Sequence, residues 1–265
     1  MEPIKGNVVK LSIGMKWGCF LTSMLLTACN TIGRQHLSAD KIFDPATAAL
    51  LEDIRKGNEI HAREALAGGL SLNIQGKEGI TPLEWLIIET RDKEATRLGL
   101  TLGAHPNFKD GDGDAVINIV SGFKDHEWLL IMLDSGSDPN IVGSNGQPPL
   151  FGAITEDRWE GMTLLLVRGA DINAHDTLGR NSALYAAYLN KYETVYWLIT
   201  HGAYSNEYDD IGANLAWNVC FSESIMSKTA PAYPWLLKVK HVLEQQGTTF
   251  PPPSSKEIRN SRKIQ

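Results

Sequence analysis

Three places in this 265-residue sequence gather residue types that could do chemistry. The run Asp110-Gly111-Asp112-Gly113-Asp114 alternates carboxylates with glycines, which suits the oxygen ligands of a hard cation such as calcium. A twelve-residue calcium loop ends in a bidentate Glu, however, and the twelfth position here is Ser121. The run therefore reads as a solvated acidic turn. His175-Asp176 offers two members of a nucleophilic triad, but no Gly-x-Ser-x-Gly supplies the third. Cys29 follows a basic residue, a short apolar run and the small residues Thr27 and Ala28, which is the layout of a secretory signal. There is no phosphate loop and no His-Glu-x-x-His, and the seven histidines lack metal-ligand spacing. The expectation is a chain that is not an enzyme and holds no metal or cofactor.

The elements that position these residues repeat. An asparagine recurs at Asn73, Asn107, Asn140, Asn173 and Asn206, with spacings of 34, 33, 33 and 33 residues. Four residues before each stands Gly69, Gly103, Gly136, Gly169 or Gly202. Six residues after each stands Gly79, Gly113, Gly146, Gly179 or Gly212. Fifteen residues in one phase define a repeat protein. The first glycine follows an apolar helical run such as Leu164-Leu165-Leu166-Val167, where a left-handed residue ends a helix. The second sits in a polar turn before a helix start. In the first repeat that start is Thr81-Pro82-Leu83, a capping hydroxyl followed by a proline that needs no amide partner. The equivalent starts at Ala115, Pro148, Asn181 and Asn214 are expected to be less well capped. Upstream, Asp44-Pro45 opens a helix that Gly57 stops, and a second helix runs over about 59–67. This pair, with no hairpin before it, reads as an amino-terminal cap.

These segments, "GITPLEWLI", "LLLVRGADIN" and "WLITHGAYSN", resemble ankyrin repeats. The resemblance implies an all-α solenoid of helix pairs joined by β-hairpin loops. It would span residues 43–250, with a cap at 43–72 and repeats from 73, 107, 140, 173 and 206. Between Gly202 and Gly247 the spacing grows to 45, so a 12-residue insertion is placed in a loop at 222–234. Residues 251–265 read as a disordered basic tail after Pro251-Pro252-Pro253. Stacks of this kind bind proteins through hairpin tips and the ends of first helices. By repeat position the tips are Lys77, Glu78, Asp112, Asn145, Leu178, Asp210 and Ile211. The next position adds Asp114, Gln147 and Arg180, and the helix ends add Glu89, Phe123, Glu156, Tyr188 and Phe221.

The front end implies a destination. Leu26-Thr27-Ala28-Cys29 resembles the bacterial lipobox, so cleavage would follow Ala28 and Cys29 would carry the lipid. The apolar run 17–28 is too short to span a bilayer. Asn30 follows, not Asp, which by the same resemblance favours the outer membrane. Residues 1–28 are then a signal peptide and 29–42 a polar linker. Met15 is a plausible true start, and a start at Met24 would leave a cytosolic form. Without the signal the chain has 22 basic and 30 acidic residues, a net charge of −8, which disfavours nucleic acid and anionic lipid as main partners. Only Cys220 then remains besides the lipid site, so no internal disulfide forms. Ankyrin-repeat lipoproteins of this build resemble immunity proteins paired with type VI secreted lipase effectors. The resemblance implies a periplasmic, lipid-anchored protein whose partner is a secreted phospholipase or lipase. The alternative is a periplasmic scaffold or accessory factor for a resident enzyme.

Overall fold

The computed structural model describes residues 37–262. The expected signal peptide at 1–28, Cys29 and the expected linker up to residue 36 lie outside the described residues, as do 263–265.

Helices follow one another in pairs. The cap comprises α1 (Ala39–Ile42), α2 (Pro45–Arg55) and α3 (Glu59–Ala67). Then come α4 (Pro82–Ile88) with α5 (Lys93–Thr101), α6 (Val116–Val120) with α7 (Glu127–Asp134), and α8 (Pro149–Thr155) with α9 (Trp159–Val167). They are followed by α10 (Ser182–Tyr188) with α11 (Tyr192–Thr200), and α12 (Leu215–Ile225) with α13 (Tyr233–Gln245). The hairpins between pairs are closed by single antiparallel bridges, Lys109 with Ala115, His175 with Asn181 and Tyr208 with Asn214. The described residues thus form the all-α stack of helix pairs and hairpin loops that the period implied. One continuous core runs through the pairs, from Leu51 and Ile54 through Ile117, Met132, Phe151 and Leu165 to Val195, Leu198, Leu236 and Leu243. Each pair buries its apolar side only against its neighbours, so stability is a property of the stack.

The periodic asparagines are the joints. Asn73 donates from Nδ2 to the Gly103 carbonyl at 2.9 Å and accepts the His105 N–H at 2.7 Å. Asn107 bonds Gly136 and Asp138 in the same way, Asn140 bonds Gly169 and Asp171, and Asn173 bonds Gly202 and Tyr204. An asparagine recurs every 33 or 34 residues because its amide ties the start of each repeat to two backbone groups at that repeat's own far end. Asn140→Ala is expected to lower stability by about 2 kcal/mol, two hydrogen bonds at roughly 1 kcal/mol each. A urea titration checks this, and a midpoint equal to the parent's refutes the joint.

Four sequence expectations change. The linker ends earlier than residue 42: α1 buries Ala39 and Ile42, and the Trp85 indole donates to the Leu37 carbonyl at 2.8 Å. Residues 37–42 therefore belong to the fold, because α1 packs on α2 and the 77–79 turn while Trp85 and Glu89 anchor Leu37. Two helix starts expected to be poorly capped are capped by side chains, Asn181 accepting from Leu184 N–H at 3.0 Å and Asn214 from Trp217 N–H at 2.9 Å. The insertion at 222–234 is helical at both ends rather than loop throughout. It lengthens α12 to Ile225 and starts α13 at Tyr233, so the connection is 226–232. The tail is not structureless: α14 (Ser255–Arg262) follows the prolines, its start bonded by the Ser254 hydroxyl and N–H, both donating to Glu257 at 2.7 Å.

Candidate protein-interaction surface

The hairpin tips are held side by side through their backbones. Gly111 N–H donates to the Gly79 carbonyl at 3.0 Å, and Asp210 N–H to the Leu178 carbonyl at 3.1 Å. Gly79 has φ +78°, and a Cβ there would meet Gly111 Cα at 2.4 Å, so only glycine fits this junction. Within a tip, an aspartate folds the turn. Asp110 accepts from the N–H groups of Asp112, Gly113 and Asp114 at 2.8–3.0 Å. Asp176 accepts from Leu178 and Arg180, and Asp209 from Ile211 and Ala213. Backbone amides thus take up the Asp110 carboxylate that the calcium pattern would have needed as a ligand.

Arg180 is the centre of the best-built part. Its Nε and Nη2 donate to Asp176 Oδ2 at 2.8 and 2.5 Å, and the Asp176 side chain is 1% exposed. The guanidinium lies 5.2 Å from the ring centres of both Tyr185 and Tyr188. The Tyr188 hydroxyl donates to Asp209 at 2.8 Å, and burial with that carboxylate pushes the phenol up to about 12. Two tips and α10 are thereby locked into one network. His175 goes elsewhere, to Glu207 at 3.0 Å, so the adjacent His175 and Asp176 serve different partners and form no relay.

The residues assigned to the surface from sequence divide into two groups. Lys77, Glu78, Asp112, Asn145, Leu178, Asp210, Ile211 and Phe221 are exposed. Leu178, Ile211 and Phe221 are 53%, 56% and 49% exposed, a large apolar display for tips and helix ends. The others are engaged inside the fold. Asp114 takes the N–H and hydroxyl of Ser144 at 2.9 and 2.7 Å, and the Gln147 carbonyl accepts Gly143 N–H at 3.0 Å. Glu89 accepts Leu37 N–H at 3.1 Å, and Glu156 pairs with Arg158 at 3.5 Å. Phe123 is half-buried against the core, and Arg180 and Tyr188 shape the surface through their network. Trp217 was missed. Its ring stacks on Phe221 at 5.4 Å and 4°, and the signal was an aromatic pair four residues apart on one helix.

Glu84 supplies the pH sensitivity of this side. Its carboxylate accepts Thr81 N–H at 3.3 Å while Thr81 Oγ1 accepts Glu84 N–H at 3.1 Å, a reciprocal cap. Burial pushes the carboxyl from 4.5 up to about 7; the Thr81 amide opposes this, and the negative charges of Asp110, Asp112 and Asp114 add to it. A raised folded value means the folded chain keeps a proton that the unfolded chain has already lost. The resulting stability is full below the unfolded value and disappears as pH rises through about 7. The urea midpoint is expected to be higher at about pH 5.5 than at about pH 8, and Glu84→Gln should flatten that slope. An equal slope in the variant refutes the assignment.

The fold defines the class: an ankyrin-repeat stack, an architecture that typically serves as a non-catalytic protein-interaction scaffold. Among solved structures, the chain is similar to the ankyrin repeat domain of Bcl-3, described as a unique member of the IkappaB protein family. The two agree with a TM-score of 0.64 and 25% identity over 78% of this chain and 89% of that one. No family model matches the sequence, and no curated protein matches it either.

Proposed function

We propose that this chain is an immunity protein that binds and neutralises a type VI secreted phospholipase or lipase effector by protein contact. The contact runs through the hairpin tips and the ends of the first helices, and lipid on Cys29 holds the chain at the periplasmic side of the outer membrane. The observation that carries the contact surface is the pair of exposed apolar tips, Leu178 and Ile211, on hairpins joined by the Asp210–Leu178 backbone bond. Acidic Glu78, Asp112 and Asp210 are exposed along the same line of tips. An apolar centre with a charged rim is the anatomy of a protein-binding patch. The lipobox resemblance at residues 26–29 supports the location, and a tether raises the inhibitor's effective concentration where a phospholipase works.

Co-expression with a candidate effector, co-purification and a lipase assay test the proposal. The expected result is a stable complex and suppressed lipase activity. Undiminished activity at stoichiometric chain refutes it, and co-purification with a resident periplasmic enzyme instead supports the scaffold reading. Cys29→Ser should leave effector binding intact and release the chain from the membrane fraction.

A further inference from the structure

The carboxy-terminal segment returns to the surface just described. After α13, Phe250 packs on the core with the Lys240 ammonium 5.2 Å from its ring centre. Pro252 and Ser254 then close a groove with Trp217, Cys220, Phe221 and Ser224 of α12. Further on, Arg259 of α14 donates from Nη1 to the Ile211 carbonyl at 2.7 Å, bridging 48 residues of sequence. The segment therefore reaches from a first-helix end, at Phe221, to a hairpin tip, at Ile211. Both places belong to the recognition surface. Its composition complements that surface: in sequence it has Lys256, Arg259, Arg262 and Lys263 against a single Glu257, while the tips expose Glu78, Asp112 and Asp210.

We propose that residues 251–262 are a resident occupant of the recognition surface, seated where a segment of the partner protein binds, and that full engagement of the fifth repeat displaces them. This rests on the preceding reading of the surface. The groove selects a basic helical segment led by proline: rings of Trp217 and Phe221 for the proline, a hairpin-tip carbonyl for a guanidinium. The displacing partner element has that same chemistry. Among the described contacts, the exposed Arg259 bonds the Ile211 carbonyl, and Pro252 and Ser254 line the shallow groove.

Cys220 reports the state of the groove. In a full chain carrying Cys19→Ser and Cys29→Ser it is the only thiol, and its reaction with an aromatic disulfide reagent measures access. Arg259→Glu is expected to speed that reaction about fivefold by shifting the segment toward its released state. A synthetic peptide of residues 250–265 added to the Arg259→Glu chain should slow it again, and the same peptide carrying the substitution should not. Circular dichroism establishes that the variant is folded, and Arg259→Ala serves as the milder change. Equal rates in parent and both variants, or no slowing by the peptide, overturn the docking. The competition is read separately. Arg259→Glu should tighten a co-purifying effector several-fold, since a competent state that is only partly populated weakens apparent affinity. An opened thiol with unchanged effector affinity overturns the competition and leaves the immunity reading standing. Failure of both parent and variant to bind any effector sinks the immunity reading, while the thiol rates still decide the docking.

Discussion

Arg180→Met should lower the unfolding free energy by about 3 kcal/mol, the low end of the cost of stripping a buried charge of its counterion. The cause is the Asp176 carboxylate, whose side chain is 1% exposed and whose Oδ2 receives both Arg180 hydrogen bonds. The low end applies because Oδ1 still accepts from Leu178 and Arg180 N–H at 2.9 and 3.0 Å. Loss of the guanidinium also removes the cation seated between Tyr185 and Tyr188. Asp176→Asn in the same chain keeps the turn bonds and removes the orphaned charge, so the double variant should recover a large part of the loss. Urea denaturation of the two singles and the double measures the coupling. A single variant within about 0.5 kcal/mol of the parent would show that the ion pair does not hold this hairpin.

On the proposed function, Leu178→Asp combined with Ile211→Asp should weaken the complex with the effector at least about 100-fold while leaving the melting temperature unchanged. Two central apolar anchors at roughly 1.5–2 kcal/mol each account for that factor, and desolvation of the introduced carboxylates in an apolar partner pocket adds to it. Both side chains are more than half exposed, so the stack does not need them. Phe221→Ala belongs in the same series, with the caution that its ring also covers Trp217. Isothermal titration against the purified effector is the measurement. Unaltered affinity in a folded double variant refutes the hairpin-tip surface. Acidic tips further imply that the association rate with a basic partner falls as salt is raised.

The repeat was legible because it is enforced by backbone geometry. Each glycine at the helix end or the hairpin has positive φ, and each asparagine from Asn73 to Asn173 bonds the far end of its own repeat, so neither tolerates much substitution and the phase stays visible. The ends were less legible. Residues 37–42 and 251–262 have no place in the period; what orders them is a tertiary seat, on Trp85 in one case and on Trp217, Phe221 and Ile211 in the other. Sequence position identified which residues reach the tips and helix ends but not which are spent internally. Asp114 looks like a free acid in the sequence and is a brace for Ser144 in the structure. Arg180 looks like rim and is the counterion of a buried carboxylate.

The asparagine joints have a consequence for how such a chain changes length. On the receiving side each joint uses only main-chain atoms, a glycine carbonyl and an amide, as at Gly169 and Asp171. Donor and receivers lie within one 33-residue module, so a whole module carries its joint with it, while core packing and hairpin contacts with its neighbours must still match. Duplicating residues 140–172 in tandem should keep every joint intact, whereas a duplication a few residues longer or shorter than the period would shift a donor amide off its receivers. Recombination between modules can thus lengthen or shorten the array while tip residues drift independently to suit a new partner.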